Sequence, residues 1–343
     1  MKHVKQIKLK SRIVVIIIVA SYFFVYFDKP ILTMTTLNSL TEIPPNWQPI
    51  RVLTANVGNL SLACRGPYNN KLCRKSVEKA FAKNIQALQP DIVFLQELMH
   101  PSQCDNWIET DAEKVCFGNN PQLEPNQARR LLGKNYTILC ASRMRPEIGH
   151  PVGMECIGIH INAGIIEECN PGELCFASNG LDIPAGDCNP EFMIMSTFAR
   201  VRNFRMRLIN GHPHSRNKYC RDDSLRQIFE GQGSENSIIA GDFNFDPFRA
   251  AGDTPEIWKK YVGLLGSGKP FYYHSGPAEH DPPYPTAYVL FQKKTIDHVI
   301  SNFALGVCAT LGEAPGTQRI DGGRGMDHQA LLCDMWIPPG NIP

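Results

Sequence analysis

The chain has 343 residues, of which 43% are hydrophobic and 20% charged, and its formal net charge is +2. Residues 1–35 carry six Lys or Arg and one Asp, so the rest of the chain has a net charge of −3. This slightly acidic body argues against binding to nucleic acid or anionic membrane by diffuse charge, although it allows a local basic cleft. The roughly 300 residues beyond the N-terminal segment suffice for one large domain or two small ones.

The N-terminal segment has the pattern of a targeting signal. Five Lys or Arg residues precede an apolar run at 13–27, which would form a helix of about 22 Å, shorter than a bilayer core of about 30 Å. This length favours a signal peptide, but no Ala-x-Ala cleavage site follows, so an uncleaved anchor remains open. We therefore predict that residues 1–35 are a signal peptide or N-terminal membrane anchor. The body is expected to be exported, to the periplasm, the extracellular space or the outer face of the membrane.

Twelve cysteines, all beyond residue 60, fit an oxidising compartment. No C-x-x-C pair occurs, which disfavours a zinc site. Close spacing predicts the local disulfides Cys64–Cys73, Cys104–Cys116, and Cys169 with either Cys175 or Cys188.

Along the chain, residues 36–49 with Pro44-Pro45 read as a linker, and residues 50–338 as the folded domain. Strands are predicted at 51–55, 91–97, 153–161, 192–201, 204–211, 237–244, 295–302 and 330–337. Helical spacing predicts one helix over 76–88 and another beginning at 224–229, and residues 99–135 read as a long loop. Many strands, several of them antiparallel, with few helices favour an α+β fold. We expect a four-layer α/β/β/α sandwich, in which two mostly antiparallel sheets pack face to face with helices outside.

Polar residues close several of the predicted strands. One such residue is usually part of a turn or a helix cap. Five strands that all end this way are not explained by turn chemistry alone. The set is Asn56, Glu97, His212, Asp242, Asn244, Asp297, Asp327 and His328.

This ordered set closely resembles the endonuclease/exonuclease/phosphatase superfamily, over nearly everything from Arg51 to Ile337. The similar stretches are "TANVGNL", "PDIVFLQE", "LINGHPHS", "GDFNFDP", "TIDHVI" and "GMDHQAL". "GDFN" and "MDHQ" are the most specific of them. The resemblance implies a metal-dependent hydrolase acting on phosphate esters.

Phosphodiester hydrolysis needs a hard cation, an oriented water and donors to the phosphate oxygens. Glu97 and Asp327, supported by Asn56, suit Mg²⁺, for which Mn²⁺ can substitute. Asp242 can accept the proton of the attacking water. Asn244, on the same side of an extended chain, would orient that water or bind phosphate. His328 would donate to the phosphate, held by Asp297.

The resemblance also implies a second catalytic histidine, which is His212 or its neighbour His214. His212 is preferred because it follows its strand directly, and it would act as the general acid. Glu155 stands where the family places the partner of that histidine, although Gly153 and Met154 replace an aromatic residue that often precedes it.

The remaining histidines are predicted to lie outside the active site, with two exceptions. His100, His150 and His160 read as loop or surface residues, and His298 points away from Asp297 by strand alternation. His274 and His280 lie in a loop that is a candidate lining of the substrate cleft. The arginines at 200, 202, 205 and 207 read as a solvated hairpin face rather than a nucleic-acid patch.

Three functions are compatible with this sequence. The favoured one is a secreted or surface-anchored nuclease that cuts DNA as a monomer. The alternative is a phospholipid phosphodiesterase of the sphingomyelinase or phosphoinositide phosphatase type, suggested by Phe271, Tyr272, Tyr273, Tyr284 and Tyr288 in a loop suited to a membrane interface. A catalytically silent binding module on the same scaffold is the third.

Overall fold

A computed structural model describes residues 43–58, 61–105, 108–117, 124–145, 150–177, 193–232, 235–248, 254–274, 284–289, 292–323 and 325–340. The predicted targeting segment 1–35, residues 36–42 of the linker, Cys188 and His280 lie outside these residues. Within the described part of the chain, no helix has the length and apolar character needed to cross a bilayer.

The described residues form sixteen strands, most of them arranged in two large sheets. In chain order they are β1 (Gln48–Asn56), β2 (Ile92–Leu98), β3 (Tyr136–Arg145), β4 (His150–His160), β5 (Gly164–Ile166), β6 (Leu174–Phe176), β7 (Met193–Val201), β8 (Phe204–His212), β9 (Ser237–Asp242), β10 (Val262–Gly263), β11 (Phe271–Tyr273), β12 (Ala287–Val289), β13 (Gln292–Lys294), β14 (Asp297–Ser301), β15 (Leu305–Thr310) and β16 (Leu331–Ile337).

Each large sheet has seven strands and mostly antiparallel pairing. The first has the order β15-β16-β1-β2-β4-β3-β6 and the second β10-β11-β14-β9-β8-β7-β5, while β12 and β13 form a separate hairpin. Parallel pairing is confined to β1 with β2, β3 with β6, β8 with β9, and β10 with β11. The predicted pair of mostly antiparallel sheets is therefore confirmed.

The main hydrophobic core lies between the two sheets. Val52 and Phe94 from the first sheet are in one buried cluster with Leu208 and Val299 from the second. Leu53, the neighbour of Val52 on β1, is also fully buried. Because successive residues of a strand point to opposite faces, both faces of β1 must be covered.

Helices supply the outer layers of the sandwich. They are α1 (Lys75–Leu88), α2 (Gln127–Leu132), α3 (Lys218–Arg226) and α4 (Glu256–Tyr261). On the outer face of the second sheet, Ile209 and Ile239 pack with Leu225 of α3 and Trp258 of α4. This arrangement confirms the predicted sandwich with helices outside.

The described residues hold sixteen strands and four α-helices, whereas the sequence analysis predicted eight strands and two helices. Helix α3 begins at Lys218, six residues before the predicted start, and the Asn217 side chain caps it by accepting from the Cys220 N–H. Its sequence, KYCRDDSLR, is too polar for an apolar stripe to reveal it. The long strand β3, the short strands β5, β6 and β10 to β13, and strand β15 were not predicted. Strand β15 is an edge strand with mostly half-buried residues, which weakens the apolar pattern.

Disulfides bond all eleven described cysteines. The predicted pairs Cys64–Cys73 and Cys104–Cys116 are confirmed, and Cys169 pairs with Cys175. Two further disulfides join neighbouring strands of the first sheet: Cys140–Cys156 links β3 to β4, and Cys308–Cys333 links β15 to β16.

The disulfides predict a graded loss of stability. Cys308 and Cys333 are 25 residues apart, whereas Cys169 and Cys175 are six apart. Because a longer closed loop restricts the unfolded chain more, C308A/C333A should lose about 3 kcal/mol of unfolding free energy and C169A/C175A about 2 kcal/mol. Urea unfolding of both double variants measures this. A larger loss in C169A/C175A would contradict the loop-length argument.

Candidate active site

The polar strand ends of the two sheets meet at one end of the sandwich. Asn56 ends β1 of the first sheet and Asp242 ends β9 of the second. The Asn56 side chain donates a hydrogen bond from Nδ2 to Asp242 Oδ2 at 3.0 Å, and both residues are buried. Residues 186 positions apart are thus joined across the sandwich.

The turn after β9 fixes the position of Asp242. Gly241 has φ +145°, and a Cβ there would lie 2.0 Å from the carbonyl oxygen of Gly211, so only glycine fits. Asn244 adopts a left-handed conformation, φ +58°, and its N–H donates to Asp242 Oδ1 at 2.9 Å. Its Nδ2 donates to the carbonyl of Pro213. The prediction of an extended chain through Asn244 was wrong, and the residue ties the Asp242 turn to the segment after His212.

A β-bulge turns Glu97 out of the regular strand pattern. The register of β2 against β4 shifts between Leu95 and Leu98, and Glu97 has φ +59°. Its N–H donates to Glu155 Oε2 at 3.2 Å. Bulges commonly re-aim a side chain next to an active site. Here the bulge aims Glu97 toward His212, whose Nε2 lies 3.7 Å from Glu97 Oε1.

Two histidines converge on one carboxylate oxygen. The Nε2 atoms of His212 and His328 each lie 3.7 Å from Asp242 Oδ2. The chain therefore places an imidazole on two sides of the carboxylate that was predicted to accept a proton. By contrast, His214 is half-buried and accepts hydrogen bonds from the N–H groups of Arg216 and Asn217.

Each of the two histidines is held by a buried carboxylate from a strand: Glu155 of β4 holds His212, and Asp297 of β14 holds His328. Glu155 Oε1 lies 3.0 Å from His212 Nδ1, and Asp297 Oδ2 lies 2.9 Å from His328 Nδ1. Glu155 and Asp297 are 0% and 1% exposed. A carboxylate on Nδ1 fixes the orientation of the ring and leaves Nε2 for the reaction.

Burial and neighbouring charges set the protonation of the cluster. Burial raises the pKa of Asp242 to about 6; Asp297 adds to this, while His328 and His212 oppose it. Burial alone lowers the pKa of His328, but Asp297 and Asp242 outweigh it and hold that pKa well above 6.5. At neutral pH, Asp242 is therefore an ionised acceptor and His328 a protonated donor.

The oxygen-rich part of the cluster fits a hard divalent cation. Asp327 Oδ1 is buried, and no described residue forms a hydrogen bond with it. Burial raises the pKa of Asp327, and the charge of Glu97 adds to this while that of His328 opposes it. A Cβ at Gly58 would lie 2.7 Å from Glu97 Oε2 and 3.0 Å from Asn56 Oδ1, so glycine leaves space between these oxygens. Carboxylate and amide oxygens are the ligands that Mg²⁺ prefers.

A second set of side chains has ligand atoms close enough to one another to hold a metal ion. Ligand atoms of Asp242, Asp297 and His328 lie within 4.8 Å of one another. We assign these residues to proton transfer instead, because Nδ1 of His328 is bonded to Asp297 and the raised pKa keeps its ring protonated. A protonated imidazole has no lone pair for a metal.

Two buried cations in the cluster escaped the sequence analysis. Lys71 Nζ lies 3.0 Å from Glu97 Oε2, and Arg143 Nη1 lies 3.4 Å from Glu155 Oε1. Both side chains are at most 8% exposed. Burial alone raises the pKa of Glu97, but the charges of Lys71, His212 and Arg143 outweigh it and hold that pKa below its usual value. The only signal for Lys71 was its place inside the predicted Cys64–Cys73 loop.

Two other predicted features lie in the protein interior. His274 hydrogen-bonds Ser301 Oγ, at the opposite end of β14 from Asp297, and burial lowers its pKa to about 4. Its placement in the substrate cleft was therefore wrong. Phe271 is buried in the core, and the hydroxyl of Tyr273 hydrogen-bonds buried His298. Tyr272, Tyr273, Tyr284 and Tyr288 are half-buried, and most of the loop between them lies outside the described residues.

The four hairpin arginines are paired with acidic side chains. Their partners are Glu167 for Arg200 and Arg205, Asp91 for Arg202, and Glu235 for Arg207. Their charges are largely compensated, as predicted for a solvated face rather than a nucleic-acid patch.

The fold and the site together define a class of phosphoester-hydrolase-like sandwiches with paired histidine and carboxylate groups at one end. The family model described as "Endonuclease/Exonuclease/phosphatase family" matches residues 53–316. The chain belongs to this family, whose members are typically metal-dependent phosphoester hydrolases. None of the curated proteins matches it in sequence.

Solved structures with the same fold are distant in sequence. A Danio rerio TDP2 structure complexed with a single-strand DNA product has 14% identity and a TM-score of 0.52, covering 84% of this chain and 98% of that one. The human Nocturnin catalytic domain with bound sulfate has 17% identity and a TM-score of 0.50, covering 84% and 93%. A conserved Enterococcus faecalis protein of unknown function has 14% identity and a TM-score of 0.51, covering 83% and 99%.

The raised pKa of Asp242 predicts an acid limit to activity. As the pH falls through about 6, Asp242 takes up a proton and can no longer accept one, so hydrolysis of a simple phosphodiester such as bis(p-nitrophenyl) phosphate should decline.

The same raised pKa affects stability. Because the folded state raises the pKa of Asp242 above 3.8, ionisation of Asp242 costs stability at neutral pH, and that cost disappears as the pH falls below 6. D242N should therefore melt at least as high as wild type at pH 7.5. A rate that stays flat from pH 7.5 to 4.5 would contradict the assignment.

Proposed function

We propose that this protein is a divalent-metal-dependent phosphodiester hydrolase, and that its substrate is DNA. The observation that carries the proposal is the convergence of His212 Nε2 and His328 Nε2 on Asp242 Oδ2, each at 3.7 Å, with a buried carboxylate behind each ring. An acceptor flanked by two oriented imidazoles can serve both the attacking and the leaving oxygen of an in-line displacement.

In this mechanism, Asp242 accepts the proton of the attacking water. Asn56 positions Asp242 through its amide, and Asn244 fixes the turn. Protonated His328 donates to a non-bridging phosphate oxygen, and Asp297 stabilises its charge. His212, oriented by Glu155, delivers a proton to the leaving oxygen.

Glu97 and Asp327, supported by Asn56, would hold the metal ion. When bound, Mg²⁺ or Mn²⁺ supplies charge neutralisation for the phosphate. The unpartnered buried oxygen of Asp327 and the gap at Gly58 support this assignment.

The choice of DNA rests on the paired histidines, the resemblance to nucleases and one feature beside the site. Ala287 of the β12–β13 hairpin forms a β-bridge with His328, and the same hairpin carries Lys293 and Lys294. Lys293 lies 3.7 Å from Glu313, so Lys294 is the lysine of this hairpin that would add positive charge for a polyanion. The DNA product in the related TDP2 structure supports the same substrate class. The phospholipid alternative has less support, because Phe271 of its aromatic cluster is buried in the core.

We also propose that the domain acts outside the cytoplasm as a monomer, delivered by the segment at 1–35, which would also be its only membrane contact if it stays uncleaved. The disulfides of all eleven described cysteines support an oxidising compartment.

Metal dependence is the first test of this proposal. Hydrolysis should require added Mg²⁺ or Mn²⁺ and stop in excess EDTA, because the cluster offers hard oxygen ligands. E97Q should raise the metal concentration that gives half the maximal rate, by about tenfold or more, since it removes a ligand charge. Full turnover in EDTA, or an unchanged metal requirement in E97Q, would contradict the assignment of Glu97.

The role of Asp242 is tested against its neighbour Asp246. D242N should lower kcat at least about 10²-fold, because the proton acceptor is lost. Asp246 is also buried in this turn, but it accepts from the N–H groups of Phe248 and Thr295. D246N should lower the melting temperature while keeping most of kcat. Near-normal kcat in folded D242N would show that "GDFN" is only a turn.

A substrate panel separates the three functions. Plasmid DNA, RNA, sphingomyelin vesicles and a phosphoinositide are each incubated with enzyme and Mg²⁺, with D242N as the matched inactive control. We expect D242N-sensitive cleavage of DNA. Cleavage of lipid alone would establish the phospholipid alternative, and no cleavage of any substrate would favour the silent binding module.

A further inference from the structure

Lys71 is a buried cation set against a predicted metal ligand. Its side chain is 5% exposed, and its Nζ donates to Glu97 Oε2 at 3.0 Å. The backbone of Lys71 forms an antiparallel bridge with Gly58, two residues after Asn56. The Cys64–Cys73 disulfide closes the loop that carries it. Lys71 is therefore held in place by backbone contacts that do not depend on its charge.

The space for the Lys71 side chain exists because residue 153 is glycine. A Cβ on Gly153 would lie 3.2 Å from Lys71 Cε and 3.1 Å from the carbonyl oxygen of Leu98. Both contacts are tighter than ordinary van der Waals packing. A larger residue at this place on β4 would push the ammonium away from Glu97.

Both oxygens of Glu97 already face positive or ionisable groups. Oε2 accepts from Lys71, and Oε1 lies 3.7 Å from His212 Nε2. A divalent cation that binds Glu97 must therefore share or replace the ammonium, because two cations on one carboxylate repel each other strongly at low dielectric.

We propose that the Lys71 ammonium is an internal counter-cation of Glu97, which a divalent metal ion must displace, so that Lys71 lowers the affinity of the site for its metal. The inference rests on the proposed function, which makes Glu97 a metal ligand. It adds that Glu97 is neutralised before metal arrives, and that a lysine sets the metal concentration at which the site fills.

The competing explanation is a purely structural ion pair. Burying a lysine is expensive even when it is paired with a carboxylate. The disulfide and the backbone bridge already fix the loop. A structural pair predicts that removing Lys71 leaves the metal affinity unchanged or weakens it, whereas a counter-cation predicts tighter binding.

The test measures metal binding directly. Purified full-length wild type, K71M and K71Q are titrated with Mn²⁺, and free Mn²⁺ is followed by electron paramagnetic resonance. The Kd should fall at least about tenfold in both variants, because a positive charge next to the ligand is removed. K71Q retains an N–H donor for Glu97 in case K71M does not fold. The rise in melting temperature caused by Mn²⁺ should also be larger in both variants than in wild type.

Lys75 provides a matched control. K75M makes the same change in charge, but Lys75 is half-buried, its Nζ donates to the carbonyl of Ala112, and no carboxylate of the cluster is its partner. Its Kd should equal that of wild type. The double variant K71M/E97Q should bind Mn²⁺ no more tightly than E97Q alone, because the effect of Lys71 acts through Glu97.

The outcomes separate this inference from the proposed function. If wild type binds Mn²⁺ and the Kd of K71M and K71Q is unchanged or higher, the counter-cation is overturned while the metal site stands. A gain that survives E97Q, or that K75M shares, also overturns it. If wild type, K71M and K71Q all fail to bind Mn²⁺, the metal-dependent function and the inference fall together.

Discussion

The active cluster depends on the packing of one sheet against the other. Its central hydrogen bonds join Asn56 to Asp242 and Glu155 to His212 across the two sheets, and join Asp297 of the second sheet to His328 in the segment before β16. The carboxylates that hold the two histidines therefore come from different sheets. The hydrophobic core between the sheets therefore sets the distances between the side chains of the cluster, because a close-packed interior resists small displacements.

The same packing creates the electrostatic conditions of the site. Burial raises the pKa of Asp242 to about 6, and the histidine it faces keeps its proton because Asp297 and Asp242 are close. In water, neither shift would occur, since solvent would screen these charges. Burying these charged groups therefore lowers the free energy of unfolding, and packing of the surrounding hydrophobic core offsets this loss.

Backbone geometry at the site departs from regular strands where function requires it. Glu97 and Asn244 both have positive φ without being glycine, and each lies directly at the cluster. Such residues persist only where surrounding contacts hold them. For Glu97 those contacts are the N–H bond to Glu155 and the ion pair with Lys71, so the acidic residue closest to Lys71 is also held in a strained backbone conformation.

The sequence by itself determined the family, the sandwich and most of the candidate site. Strand ends such as "GDFN" and "MDHQ" can be recognised because strand periodicity and order along the chain are local properties. It did not determine Lys71 or Arg143, because no pattern marks a cation in a disulfide loop or on an unpredicted strand. It also misplaced His274 and Phe271, which look loop-like in the sequence and are buried in the structure. Only the tertiary structure decided these points, since burial and pairing arise from contacts between residues far apart in the chain, which local spacing does not encode.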